Sequence, residues 1–146
     1  MSDEAPIAAL LAQSFALLAR ERPNAWARFC DRLGTRVVSI TLANERFVVV
    51  PHDDELRVAT EPEPELVPTV ELHCEGPTIL AVLDDELDLA SAVRHDRVAV
   101  RGPLDAVAAV HDALVAYVHA GVRCPGFSRL LSEFRASLAR DREPRP

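Results

Sequence analysis

The segments LDDELD (residues 83–88) and AVRHDRVAVRGP (residues 92–103) decide the fold of this chain. The first is an acidic turn, and the second leads from the end of a short helix into a strand with alternating valines. Gly102 then allows a sharp exit from the strand, and Pro103 suits the first position of the helix that follows. We therefore predict a turn, a short helix, a strand and a long helix in this order, with almost no connecting residues.

The same succession of strand, glycine, proline and helix occurs earlier in the chain. Residues 69–74 have strand character, and Gly76-Pro77 opens the helix that precedes the acidic turn. Before them lie three segments that are rich in β-branched residues: 36–42, 45–50 and 56–59. The short turn between the first two segments, Ala43-Asn44, is typical of a hairpin, so we predict an antiparallel meander of three strands.

Helical periodicity marks both ends of the chain. Apolar residues recur at helical spacing from Pro6 to Arg22, and we expect Pro23 to end this helix and Asn24 to be the N-cap of the next one. A wide apolar stripe from Phe127 to Leu138 predicts the last helix.

This order of elements favours an α+β fold, in which helices cover one face of a mostly antiparallel sheet of about five strands. The length of 146 residues suits a single domain. We expect that domain to occupy residues 1–140 and residues 141–146 to form a disordered tail.

Composition excludes several classes of function. The net charge of -7 disfavours a nucleic-acid partner and an anionic membrane surface, because proteins that bind either of these usually carry an excess of basic residues. All sixteen basic residues are arginine, which excludes a Schiff-base enzyme and a Walker-type phosphate loop, since both need lysine. A chain rich in alanine, valine and arginine is typical of a GC-rich bacterial genome.

The cysteines and the N-terminus indicate a reducing compartment. Cys30, Cys74 and Cys124 are odd in number and form no Cys-x-x-Cys pair, so neither a disulfide framework nor a zinc site is predicted. The first residues are acidic where a signal peptide would be basic, and no apolar run approaches the length of a membrane span. We expect a cytoplasmic protein without stable membrane insertion.

His111 is the residue that stands out on the long helix after Pro103. It lies in the middle of the apolar stripe, which consists of Leu104, Val107, Leu114 and Val118. A histidine at such a position is either a core residue hydrogen-bonded to a backbone carbonyl or a polar contact for an apolar ligand. Catalysis through His111 is a third interpretation.

Motifs of common enzymes are absent from the sequence. It contains no Gly-x-Ser-x-Gly, no Gly-x-Gly-x-x-Gly and no His-Glu-x-x-His. The carboxylates at residues 84–88 lack the spacing and central glycine of a calcium loop, so we interpret them as a solvated turn. We therefore expect no metal, no cofactor and no catalytic residue, although the absence of motifs does not exclude an enzyme.

The positive signal is apolar surface. A five-stranded sheet can be covered without the last helix, and a helix that is not needed to cover the sheet can enclose a cavity. Packing of a solid core would produce the same apolar stripes. If a cavity exists, we expect its lining to come from the last two helices: Val107, His111, Leu114, Val118, Phe127, Leu130, Leu131 and Phe134.

Residues 82–102 also resemble the sterol carrier protein 2 (SCP-2) family. Residues 82–88 are similar to its Leu-Leu-x-Gly-x-Leu-Asp turn, and residues 92–96 are similar to its Ala-x-x-x-Gly run into a strand that ends in glycine. Asp85 and Asp96 stand where the family usually has glycine, and aspartate is among the few residues that tolerate a left-handed backbone. The resemblance spans about residues 35 to 120.

The resemblance implies a sheet of about five strands and a lipid-sized apolar tunnel, partly closed by the C-terminal helix. It transfers no catalytic residue. Three hypotheses follow: a carrier for an apolar small molecule, an accessory or interaction protein that supports lipid or quinone biosynthesis, or an enzyme that acts on a bound apolar intermediate through His111.

Overall fold

A computed structural model describes residues 6–42, 44–52, 55–60, 64–83, 86, 88–95 and 97–142 of the chain. These ranges contain six helices and five strands. In chain order they are α1 (Pro6–Glu21), α2 (Pro23–Leu33), β1 (Val38–Leu42), β2 (Glu45–His52), β3 (Glu55–Ala59), β4 (Val70–Cys74), α3 (Gly76–Leu83), α4 (Leu89–Arg94), β5 (Val98–Arg101), α5 (Leu104–Val122) and α6 (Phe127–Arg142).

The five strands form one mixed sheet in the order β3-β2-β1-β4-β5. The central pair β1 and β4 is parallel, and the other three pairs are antiparallel. A parallel pair needs a long connection between its two strands. Here that connection contains β2 and β3, which lie on one side of β1, and β4 pairs with β1 on the other side. The α+β class and the mostly antiparallel sheet predicted from the sequence are confirmed.

Helices α1, α2 and α5 cover one face of this sheet. Val38 of β1 pairs with Val49 of β2 on one side and with Val70 of β4 on the other, so the same face is apolar across the central strands. The buried cluster on this face is completed by residues of the three helices: Phe15, Phe29, Leu33, Ala106, Val110 and Ala113. Because side chains alternate along a strand, this register places one complete apolar face under the helices.

The first hairpin has the predicted two-residue connection. Leu42 pairs with Glu45, which leaves Ala43 and Asn44 between the strands; Ala43 lies outside the described residues. The Glu45 carboxylate then reaches α1, where it accepts hydrogen bonds from the backbone N–H groups of Ile7 (2.9 Å) and Ala8 (3.2 Å). Free N–H groups at a helix start need such acceptors, so Glu45 fixes α1 to the sheet.

Two helix starts differ from the sequence prediction. Arg22, and not Asn24, is the N-cap of α2, and Asn24 lies inside the first turn. Pro23 is the first helical residue because its missing N–H would have no partner there in any case. In α5 the proline is one position earlier than predicted: Pro103 is the N-cap, and the helix begins at Leu104.

The glycine at the exit of β5 is required by geometry. Gly102 has a φ of +151°, and a Cβ atom there would lie 2.7 Å from the carbonyl oxygen of Thr69. The two aspartates that replace family glycines, Asp85 and Asp96, lie outside the described residues. Helix α6 continues through Arg142, into the segment that the sequence assigns to the tail, and residues 143–146 are not described.

The end of the acidic turn has a structural role. Asp88 is exposed and accepts hydrogen bonds from the backbone N–H and the hydroxyl of Ser91, both at 2.8 Å. These bonds lower the pKa of the Asp88 carboxyl from its usual value. Asp88 is therefore a capping residue at the start of α4.

Candidate functional site

Helix α5 separates two cavities, and His111 lines both of them. The first cavity, which we call the apolar pocket, has a volume of about 240 Å³ and lies between α5 and strands β4 and β5. Its walls are Leu72, Val98, Val100, Leu104, Val107, Ala108, Val110, His111, Asp112 and Leu114. Nearly all of these side chains are aliphatic, which is typical of sites for apolar ligands.

His111 and Asp112 are the two polar residues that line this pocket. The His111 side chain is 40% exposed, and its Nδ1 lies 3.8 Å from Oδ1 of Asp112, too far for a hydrogen bond. Leu104, which is 86% exposed, stands at the N-terminal end of the same helix and also lines the pocket. A ligand would therefore contact aliphatic walls, the imidazole of His111 and the carboxylate of Asp112, next to the exposed Leu104.

The structure divides the residues that the sequence singled out as a possible lining. Val107, His111 and Leu114 come together in the apolar pocket. Phe127 and Leu130 instead pack with Leu17 and Leu18 of α1, and Phe134 packs with Ile7, Phe47 and Leu138. Val118 and Leu131 are half-buried on α5 and α6, outside the walls of the pocket.

An aromatic cluster fills the space between α1, α2, α5 and the start of α6. It consists of Phe15, Trp26, Phe29, Tyr117 and Phe127, whose neighbouring ring centroids are 5.4 to 5.9 Å apart. Such tilted and edge-to-face pairs add stabilisation beyond the burial of their area. Apolar surface in this part of the chain is therefore used for packing of the core.

Tyr117 is the polar member of that cluster, and sequence reasoning missed it. Its hydroxyl is hydrogen-bonded to Oγ of the buried Ser14 at 2.5 Å, and Ser14 donates to the carbonyl of Leu11. Burial raises the pKa of the Tyr117 hydroxyl to about 12. The signal was present in the sequence, because Ser14 interrupts the apolar stripe of α1 and needs a partner when that stripe is buried.

The second cavity is an open groove between α2 and α5 with a volume of about 590 Å³, which we call the arginine groove. Its polar walls include four arginines, two histidines and two carboxylates: Arg22, Arg28, Arg32, Arg123, His111, His119, Glu21 and Asp112. No local sequence pattern indicates this site, since most of its residues come from α2 and α5, which are distant in the chain.

The buried cysteines Cys74 and Cys124 both have a raised pKa. Burial, together with the charge of Glu75, raises the pKa of the Cys74 thiol to about 11. Burial and the adjacent Glu21 also raise the pKa of Cys124, whose thiol donates to the Glu21 carboxylate at 3.3 Å. Neither thiol has the lowered pKa of a reactive cysteine.

Two features are absent from the described part of the chain. No three histidine, cysteine or carboxylate side chains are grouped so that they could hold a metal ion. Likewise, none of the helices in these ranges combines the length and the apolarity that a membrane span requires.

No protein-family model matches this chain, and no curated protein sequence matches it. Solved structures do. The chain is similar to a structure named UbiJ-SCP2 ubiquinone synthesis protein, with a TM-score of 0.51, 20% identity, and coverage of 69% of this chain and 90% of that chain. It is similar to apo sterol carrier protein 2 from Yarrowia lipolytica, with a TM-score of 0.55, 12% identity, and coverage of 76% and 88%.

A third similar structure is the sterol carrier protein domain 2 of Helicoverpa armigera, with a TM-score of 0.51, 10% identity, and coverage of 68% and 79%. In each case most of the solved domain is covered. The chain therefore has the SCP-2 fold, and the resemblance predicted from residues 82–102 is confirmed.

Proposed function

We propose that this protein is a non-catalytic carrier or binding protein for an apolar small molecule, which it holds against α5. The observation that carries the proposal is the apolar pocket, in which aliphatic side chains of β4, β5 and α5 surround a space that His111 and Asp112 also line. Within an SCP-2 fold, such a pocket is suited to an aliphatic or ring-shaped ligand with a single hydroxyl or carbonyl group. His111 would be the partner of that group.

The size of the pocket indicates how much of a ligand it can hold. Pockets for small molecules usually measure roughly 300 to 1,000 Å³, and this one measures about 240 Å³. It therefore matches one end of a lipid-sized ligand. A complete ligand would need space beyond Leu114, where Val118 continues along α5, or a displacement of α6 with Phe127, Leu130, Leu131 and Phe134.

Ligand binding can be tested with a blocked pocket and a matched control on the same helix. Val107→Trp places an indole in the pocket, and we expect it to weaken binding of a fluorescent fatty acid at least tenfold. Val122→Trp introduces the same side chain at a position that is 79% exposed, and we expect affinity within twofold of the native protein. Circular dichroism and the melting temperature would show that both variants are folded.

Native mass spectrometry of the freshly purified protein would identify a retained ligand directly. We expect an additional mass that is removed by organic extraction and reduced in Val107→Trp. If several chemically different lipids and dyes fail to bind, and no mass is retained, the carrier function is wrong.

A second candidate is an accessory role in lipid or quinone biosynthesis. It is favoured by one similar structure, which is named a ubiquinone synthesis protein. For this chain, that role predicts that the retained ligand is an isoprenoid or quinone intermediate. A retained phospholipid or fatty acid would instead support the general carrier.

A further inference from the structure

The arginine groove contains more positive charge than its own carboxylates balance. Four arginines face two carboxylates, so two positive charges remain even with both histidines neutral. This excess is local, since the chain as a whole has a net charge of -7. A concave site with an excess of one sign attracts ions of the other sign.

Neither carboxylate of the groove forms an ion pair with Arg28 or Arg32 within the described residues. Glu21 contacts Arg20 at 3.6 Å and accepts a hydrogen bond from the Cys124 thiol. The nearest charged or ionisable partner of Asp112 is His111, at 3.8 Å. The charges of these two arginines are therefore not neutralised by direct contact with a carboxylate of the groove.

Arg28 and Arg32 carry the uncompensated charge. They lie four residues apart on α2, and both are exposed. Among the residues that the structure describes, no carboxylate lies within 4.0 Å of either guanidinium. Like charges at this spacing repel each other across one turn of helix. An anion bound between the two guanidinium groups would relieve that repulsion.

Arg22 and Arg123 occupy the other end of the groove and are in a different situation. The Arg22 guanidinium donates to the backbone carbonyl of Arg123 at 2.9 Å, so Arg22 is held by the start of the turn after α5. Only the backbone carbonyl of Arg123 takes part in this bond, and Arg28 and Arg32 are the two arginines of the groove that lie one turn apart on the same helix.

His111 and Asp112 line both the groove and the apolar pocket, so only these two residues of α5 lie between the two cavities. Along α5, residues 104–114 contribute to the apolar pocket and residues 111–123 contribute to the groove. A molecule that passes His111 would thus have an apolar part against the sheet and a polar part against α2.

We infer that Arg28 and Arg32 bind a phosphate-type anionic head group of an amphiphilic ligand whose apolar part enters the pocket past His111. The inference rests on the proposed carrier function and adds the chemistry of the head group. Guanidinium groups bind phosphate oxygens through two parallel hydrogen bonds, and a dianion would neutralise the two excess charges. Asp112 lines both cavities next to His111, so it would lie beside the part of the ligand that passes His111, and its charge would disfavour a ligand that is anionic there.

The test compares three probes on the full chain: dodecyl phosphate below its micelle concentration, dodecanol, and inorganic pyrophosphate. We expect dodecyl phosphate to bind at least tenfold more tightly than dodecanol in a calorimetric or dye-displacement titration. In the double variant Arg28→Gln, Arg32→Gln this preference should disappear, while dodecanol affinity stays within twofold. The matched control is Arg129→Gln, an exposed arginine of α6 outside the groove, which should keep the preference.

Different failures have different meanings. Equal affinity of the two dodecyl probes, or a preference that survives in the double variant or is lost in Arg129→Gln, overturns the inference and leaves the carrier function intact. If neither dodecyl probe binds but pyrophosphate binds through Arg28 and Arg32, the carrier function fails and the anion belongs to a soluble compound. If pyrophosphate binds as tightly as dodecyl phosphate, the apolar part contributes nothing, and the link between the two cavities is wrong.

Discussion

Raising the pH should destabilise this protein through Tyr117. The pKa of its hydroxyl is raised from 10.0 to about 12 because the phenol is buried against Ser14 in the aromatic cluster. The folded protein therefore holds the proton more tightly than the unfolded chain does. This contribution to stability is complete below pH 10 and is lost as the pH rises towards 12. Two pKa units correspond to about 2.7 kcal/mol of unfolding free energy.

The composition makes the assay specific. The chain contains one tyrosine and one tryptophan, so tyrosinate absorbance in the near ultraviolet reports Tyr117 and fluorescence reports Trp26. We expect the absorbance of the native protein to show a midpoint near pH 12, and that of the protein in denaturant to show a midpoint near pH 10. Trp26 fluorescence in the same samples shows whether the chain is still folded at each pH.

The control for this prediction is Tyr117→Phe. It removes the ionisable group and one hydrogen bond, so we expect a loss of about 1 kcal/mol at neutral pH. The thiol of Cys74, whose pKa is raised from 9.0 to about 11, destabilises both the native protein and the variant as the pH rises. The effect that is specific to Tyr117 is the difference in unfolding free energy between these two proteins. If tyrosinate forms near pH 10 while Trp26 fluorescence is still native, burial does not protect the hydroxyl and the reasoning is refuted.

Three other variants or measurements test the fold. Glu45→Gln should lower the unfolding free energy by about 1 kcal/mol in urea titrations, because the Glu45 carboxylate accepts hydrogen bonds from two N–H groups at the start of α1. The control Glu55→Gln, at an exposed position of a strand, should change the unfolding free energy little. Gly102→Ala should destabilise by about 1 to 3 kcal/mol, and a loss below that range would contradict the close approach of its backbone to a carbonyl oxygen. At pH 8, a thiol reagent should label half-buried Cys30 before buried Cys74, as checked by peptide mass mapping; the reverse order would contradict the burial and the raised pKa of Cys74.

Much of the fold could be predicted because its signals are local. The glycine-proline pairs at 76–77 and 102–103 mark both transitions from strand to helix, and the chain follows them within one residue. The two-residue connection at 43–44 fixes the register of the first hairpin. Asn24 was predicted wrongly as a cap because two local signals competed, and the preference of Pro23 for the first helical position prevailed.

The candidate site could be predicted only in part. His111 was identified because a polar residue in an apolar stripe is visible in the sequence of α5 alone. Which half of the stripe faces open space depends on how α5 lies on β4, β5 and α2, and no local pattern encodes that packing. Phe127 and Leu130 have the same apolar character as Val107 and Leu114, yet they pack against α1 while the latter two line a pocket.

The net charge of the whole sequence says little about the charge of an individual site. A net charge of -7 argues against an anionic partner when it is averaged over the chain. Interactions between exposed charges, however, are screened beyond roughly 8 Å at physiological salt. The field in the arginine groove is therefore set by the side chains that line it, where arginines outnumber carboxylates. A protein that is acidic overall can thus bind an anion in one groove, and the acidic surface elsewhere would discourage non-specific binding of the same ligand.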